Sequence, residues 1–384
     1  SGKDNFDFIV YYPMESIGDD KQILSFIQDK IPDGASISNR RYSEIRVYDA
    51  EFAGKEKGFS FAFSHGLLIL SRSSILLEES IRQIDASQGL ADEPGFREVA
   101  MTAGRNVEGN VFIDYKTIPG MVSHLFNNNY SERVSNFIHF ADWSEMDVNL
   151  RPDALLLNGF TYSGRDSDDY LSLILKHEPQ RLDIESAIPA NVAAFIALGL
   201  DDFPGYKKDY IEHLEILGNE RAYLRELKEL NEKYKMDIDK ILLPVIERQV
   251  ALVLMDVRNF GWDENAFVVC NTKSRSLAEE KLRELLGIMA EKDGIALSSL
   301  IMERPVNNDV NYTFYQIPVP WFPGKLFGKI FGQINSKYCA FYDSYLVFGN
   351  SIPALSKYIH ANQLGNSLDS DLDFHQFSEY LASR

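Results

Sequence analysis

The stretch Phe61–Gln83, FAFSHGLLILSRSSILLEESIRQ, decides the fold, because the chain writes it twice. It reads as a β-hairpin running into an amphipathic helix, and its echo is CAFYDSYLVFGNSIPALSKYIHA at Cys339–Ala361. A shift of 278 positions places Leu67–Leu70 on Tyr345–Phe348, Ala62 on Ala340, Ser73 on Ser351, Leu77 on Leu355 and Ile81 on Ile359. The matches fall on apolar and turn positions, where a shared core demands them. Register is the telling feature, since a slip of one residue would turn every buried strand side chain to solvent.

The repeat extends upstream at a second offset. Phe8–Val10 falls on Phe267–Val269, and Ile23, Phe26 and Ile27 fall on Leu282, Leu285 and Leu286, an offset of 259 in each case. Spacings of three and four put these helix residues on one face in both copies. The second copy therefore carries 278 − 259 = 19 extra residues between its helix and its hairpin. The apparent strand Val111–Tyr115 has no counterpart after the second copy, and residues 185–262 have none before the first. The pattern predicts a piece of a longer protein, with Ser1-Gly2 as an expression scar.

Taken in order, residues 5–11 read as a central strand, Asp19–Ile31 as a helix and Tyr42–Phe52 as a strand with Ile45 and Val47 inward. The hairpin turns at Ser64-His65-Gly66, and Ser73 or Ser74 caps the helix that follows. Gly95–Ala103 reads as a short helix opened by Asp92-Glu93-Pro94, and Asp147–Leu150 with Ala154–Tyr162 as a second hairpin. A soft boundary falls near residue 184. Lys207–Gln249 is the most helical part, with Tyr223, Leu227, Leu230 and Tyr234 in one stripe and a break at Gly218-Asn219. Strands follow at Val250–Val257, Ala266–Cys270, Ser299–Glu303 and Tyr312–Pro318. The expected fold class is α+β: two pseudo-repeated lobes, 1–184 and 185–384, of antiparallel or mixed sheet with hairpins and packed helices.

Composition narrows the function. Of 384 residues, 45% are hydrophobic and 25% charged, as in an ordinary soluble globule. A net charge of −18 repels phosphate backbones and argues against nucleic acid. No apolar run reaches the roughly 20 residues of a membrane helix. Cys270 and Cys339, both in apolar strands, read as buried free thiols.

Catalytic motifs are absent from the sequence. It contains no phosphate loop, GxGxxG, GxSxG elbow, SxxK pair or HExxH helix. His65, His124, His139, His177, His213, His360 and His375 are scattered without metal-ligand spacing. Asp369, Asp371 and Asp373 alternate as an EF-hand loop begins, but Phe374 stands where its glycine belongs and Tyr380 where its glutamate belongs. Helix N-terminal acids account for them better. Asp166, Asp168 and Asp169 read as a solvated polar loop. No catalytic residue, cofactor or metal site is assigned.

The contact candidate is the extra segment IPVPWFPGKLFGKIFGQ, Ile317–Gln333. Its prolines hold Trp321 and Phe322 in an extended arm, and a short helix then pairs an apolar face with Lys325 and Lys329. Trp321, Phe322, Lys325, Phe327 and Lys329 are the partner-contact candidates. The other reading makes the segment part of the second lobe's core, and aromatics this close together are normally buried.

Three phrases carry a family resemblance: WSEMDVNLRPDALLLNGFTY at Trp143–Tyr162, IPANVAAFIALG at Ile188–Gly199, and LFGKIF with YLVFGNS at Leu326–Phe331 and Tyr345–Ser351. Together they resemble a Bacteroidales-type family of cell-envelope proteins, a domain of unknown function. The resemblance implies tandem α+β repeats, an extracytoplasmic or periplasmic location, and membrane proximity through an anchor outside this sequence. It implies an envelope protein, peptide or lipid as partner and brings no active site with it.

The leading expectation is a non-enzymatic envelope protein that binds or scaffolds through a two-lobed body. Its rivals are a hydrolase whose site is assembled from distant residues, with several of Asp166, His177, Asp201 and His213 to be gathered in a cleft, and a carrier of lipid or peptide in a groove between the lobes.

Overall fold

The structure is a computed structural model that describes residues 7–14, 19–30, 35–52, 58–87, 89–125, 139–152, 154–164, 168–218, 220–255, 261–306, 310–319, 321–332 and 334–379. It is an α+β fold built on three antiparallel sheets. The chain divides at Ser163/Gly164 into two compact units, where the sequence pattern predicted a boundary near 184. The weakly patterned residues between those points belong to the second unit, because Leu173 and Ile184 enter its cores.

The first unit opens with β1 (Ile9–Pro13), α1 (Asp19–Lys30), β2 (Ser36–Tyr42), β3 (Ile45–Glu51), β4 (Phe59–Ser64), β5 (Leu67–Ser71) and α2 (Ser74–Asp85). The strands form one sheet in the order β1-β5-β4-β3-β2. A left-handed His65 and Gly66 make the tight β4–β5 turn. Ser73 caps α2 by accepting from the Leu76 amide at 3.3 Å. Leu77 and Ile81 of α2 bury against Val47, Ala62 and Ile69. A short helix α3 (Pro94–Ala100), capped by Glu93, leads to β6 (Gly109–Asp114), α4 (Ile118–Leu125), β7 (Trp143–Leu150) and β8 (Leu155–Tyr162). The last three strands form a second sheet, crossed by α3, whose Phe96 lies 4.9 Å from Phe112 and 5.3 Å from Trp143.

The second unit runs α5 (Tyr170–Ile174), β9 (Val192–Gly199), α6 (Phe203–Ile216), α7 (Glu220–Tyr234), α8 (Ile238–Leu242), β10 (Ile246–Met255), α9 (Trp262–Asn265) and β11 (Ala266–Thr272). It continues with α10 (Arg275–Asp293), β12 (Ile301–Pro305), β13 (Asn311–Gln316), α11 (Phe322–Phe327), β14 (Tyr338–Tyr342), β15 (Tyr345–Gly349), α12 (Ile352–Gln363) and α13 (Leu372–Ser378). Its sheet order is β12-β13-β14-β15-β11-β10-β9. Read from β11 to β12, this is the first sheet's order, strand for strand, with β10 and β9 added beyond β11.

Register confirms the correspondence. Phe61 pairs Leu70 and Ala62 pairs Ile69, while Cys339 pairs Phe348 and Ala340 pairs Val347, each at the offset of 278. Ala62 also faces Val47 as Ala340 faces Phe314. Ser351 caps α12 through the Ala354 amide, and Asp371 caps α13 as Glu93 caps α3. Asp343 takes the left-handed turn position of His65. The first strand needs a correction of one residue. Val10 pairs Leu70 and Val268 pairs Phe348, so Val10 occupies the place of Val268, at an offset of 258 rather than 259.

Helices cover both faces of the seven-stranded sheet. Ala354, Leu355, Tyr358 and Ile359 of α12 pack on Phe267, Val269, Phe314 and Val347. On the other face, Leu282, Leu285, Leu286 and Met289 of α10 lie among residues of α6, α7, α8 and the 317–334 segment. Cys270 and Cys339 are free and fully buried, and burial pushes both thiols up. Among the described residues no helix is long and apolar enough to cross a membrane.

Candidate interaction surface

The two copies differ most on one side. In the second, β11 is a central strand, hydrogen-bonded to β15 and β10, with Ala266, Val268 and Cys270 no more than 1% exposed. In the first, β1 pairs with β5 alone among the described residues and stands at the sheet edge, where the sequence predicted a central strand. Phe8, just before the strand, and its outward residues Val10 and Tyr12 are 45%, 46% and 60% exposed. Alternation sends Ile9 and Tyr11 the other way, towards α2, where Tyr11, itself 47% exposed, bonds Ser80 Oγ through its hydroxyl at 2.7 Å.

Helix α1 repeats the contrast. Leu285 is fully buried, and its counterpart Phe26 is 61% exposed beneath the Lys30 ammonium, 5.7 Å from the ring centre. In the second unit the covering material is the block β9–α6–α7–α8–β10, residues 192–255. It extends the sheet past β11 and lays α7 and α8 on α10. The first sheet has no such block among the described residues. What remains is an unpaired strand edge beside an apolar face, and both invite a further strand.

The segment expected to reach a partner is mostly core. Phe322 and Phe327 are fully buried, Phe322 with its ring 6.2 Å from Phe348 and Phe327 with its ring 5.6 Å from Phe203. Their place in the contact set is thereby corrected, because a side chain with no exposed area cannot touch a partner. Lys325 is withdrawn as well: its side chain is 14% exposed, pairs with Glu226 and lies over the Tyr223 ring. Trp321, 44% exposed, and Lys329 remain at the surface, and the Lys329 amide donates to Tyr210 Oη at 2.9 Å.

A buried cation holds this arm. Lys207 on α6 donates to the Lys325 carbonyl and to Asp239 Oδ1 at 3.2 Å, and the Tyr223 hydroxyl donates to the same carbonyl at 2.8 Å. Burial pulls the Lys207 ammonium below its ordinary range, against the opposing pull of Asp239. Gly324 lies against Gly332 so closely that a Cβ would sit 2.6 Å from the opposite Cα, which fixes the arm's tight fold.

Among the described residues the hydrolase candidates fall about one tyrosine pair, His177 beside Tyr206 and His213 beside Tyr170, whose hydroxyls lie 2.7 Å apart. His177 Nδ1 bonds Asp201 Oδ1 at 2.6 Å, and that bond holds the Asp201 carboxyl below its usual range. His177 Nε2 points into the interior with no partner. Buried His213 lies beside the Tyr170 ring, and Asp166 falls outside the described residues. Among the described residues no three His, Cys, Asp or Glu side chains are grouped to hold a metal ion. A shallow groove along α7 is lined by Leu224, Leu227, Asn231, Lys235 and Met236.

No family model matches the chain, and no curated protein or solved structure is significantly similar to it.

Proposed function

We propose that this chain is a non-enzymatic binding or scaffolding protein of the cell envelope that captures an extended polypeptide segment on β1. One observation carries the reading: exposed apolar residues on the edge strand β1, which among the described residues pairs with β5 alone, at the place that the second copy covers with its own residues 192–255. An incoming strand with alternating apolar side chains, antiparallel to β1, would gain backbone hydrogen bonds from the edge and side-chain burial from Phe8, Val10 and Tyr12. The residual exposure of each such side chain is worth on the order of 1 kcal/mol. Placement in the envelope is supported by the resemblance of residues 143–162, 188–199, 326–331 and 345–351, and fractionation of cells expressing the native gene tests it.

The binding reading is tested by selecting displayed random peptides against the chain and mapping the bound ones by amide hydrogen exchange. Alternating apolar sequences that protect Ile9–Pro13, and that fail to bind Val10→Lys/Tyr12→Lys, are expected. Peptides that map away from β1, or that bind the double variant unchanged, refute it.

A further inference from the structure

Along β7, alternation places Trp143, Glu145 and Asp147 on one face of the three-stranded sheet. Trp143 packs under α3, and Glu145 follows it inward with no exposed area at all, between Phe112 of β6 and Phe160 of β8 in the strand register. A carboxylate so placed is costly unless something positive or several donors meet it. Its Oε1 receives one long bond, from Asn110 Nδ2 at 3.3 Å, and its Oε2 has no partner. Among the described residues neither Glu145 nor Asp147 has a Lys or Arg beside it. Burial pushes the Glu145 carboxyl up, neighbouring Asp147 adds to this, and the Asn110 amide works against it.

The same nitrogen, Asn110 Nδ2, is also 2.7 Å from Asp147 Oδ1 and 3.2 Å from the Gly104 carbonyl oxygen. One amide end is thus ringed by oxygens from two carboxylates and a backbone carbonyl, with one more acceptor than it has hydrogens. The loop that brings the carbonyl is held close: the Gly104 amide donates to Asp147 Oδ1 at 2.7 Å. A Cβ at Gly104 would lie 2.5 Å from Asp147 Oδ2, so any larger residue there would push the Asp147 carboxylate from its place.

We propose that Glu145, Asp147, Asn110 and the Gly104 carbonyl form a binding site for a hard divalent cation of the Ca²⁺ class. A half-turn of the Asn110 amide exchanges its nitrogen for its oxygen and makes a fourth ligand. Drawn in to the 2.3–2.6 Å typical of Ca²⁺–oxygen contacts, the four oxygens leave the solvent-facing side beside exposed Asn110 for water. The fully buried, unpartnered Oε2 of Glu145 separates this group from an ordinary acidic cluster, which keeps its free oxygens in solvent. The irregular ligand set and its single backbone carbonyl suit Ca²⁺ better than Mg²⁺, which demands a near-ideal octahedron. A bound cation would tie the 101–108 loop to β6 and β7 and stiffen the first unit.

The test is calorimetric titration of the whole chain with CaCl₂, with MgCl₂ in parallel, and thermal melting with and without each ion. Ca²⁺ should bind with a dissociation constant of about 10⁻⁴–10⁻³ M, as in open extracellular sites, and raise the melting temperature of the first unit. Both effects should vanish in Glu145→Gln, which removes a buried charge and so keeps the fold without Ca²⁺, and in Asp147→Asn. Asn110→Asp, which adds a third carboxylate, should tighten Ca²⁺ binding several-fold. Absence of Ca²⁺ binding in the native chain, Ca²⁺ binding that survives both charge removals, or a weaker Asn110→Asp variant would each overturn the site.

Discussion

Phe322→Ala separates an arm that closes the core from one that offers a surface. Phe322 has no exposed area and abuts Phe348, so truncation removes a ring from a dense cluster and leaves a cavity. Such changes cost about 3–5 kcal/mol. For a unit the size of residues 164–384, each kcal/mol moves the midpoint by about 2–4 °C, so the drop should be about 6–20 °C. The neighbouring Trp321→Ala should cost far less, because that ring is 44% exposed. Trp321→Gly should recover part of even that loss, since Trp321 sits at φ 59°, where an L-residue bears about 1–2 kcal/mol of strain. Scanning calorimetry of the three variants reads these differences in the second unit's transition. A Phe322→Ala midpoint within a degree of the parent would refute the core assignment, and with it the withdrawal of the arm from the contact set.

Leu77→Ala and Leu355→Ala truncate equivalent, fully buried helix residues and should each cost about 2–5 kcal/mol, the first in the first unit's transition and the second in the second's; both losses in one transition would contradict the separate cores. Glu279 supplies a pH dependence. Burial pushes its carboxyl up, but bonds from Tyr315 Oη and Arg283 outweigh burial and hold it below its ordinary value. Its folded pKa is therefore the lower one, so its contribution to stability is complete above the ordinary carboxylate range and is lost as pH falls through the folded value. Urea midpoints measured from neutral to acid pH should show that loss, and Glu279→Gln should remove it.

The repeated hairpin and its helix were legible because every signal agreed: alternating strands, a turn that tolerates left-handed residues, and a serine cap at the same offset in both copies. The edge position of β1 was not, because NFDFIVY is apolar on both faces. That pattern reports two faces suited to burial, and it is silent on whether a neighbouring strand is there to cover one of them. Strand β2, SISNRRY, escaped notice for the opposite reason: its polar outward residues suit a sheet edge and mask the period of two. The arm's aromatics were recognised as a cluster, but local spacing cannot tell a core that α6 and α7 help to build from an exposed stripe. Glu145 gave no signal, since WSEMDVNL reads as an ordinary half-buried strand with its acids outside. The carboxylate is buried by neighbours distant in sequence, which the strand's own spacing does not report.

The unbroken offset from Phe59 to Ala86 has a consequence for how the chain can be rebuilt. Strand, turn, strand and capped helix form a cassette whose internal spacing shows no insertion, while the connections upstream of it differ in length, so that β1, β3 and the hairpin stand at different offsets from their twins. Exchanging Phe59–Ala86 for its twin at the C-terminal end would transplant a ready-made unit. The mismatches it would meet include one strand neighbour, Val47 in one host and Phe314 in the other, and the Phe322 ring that abuts Phe348 in the second host.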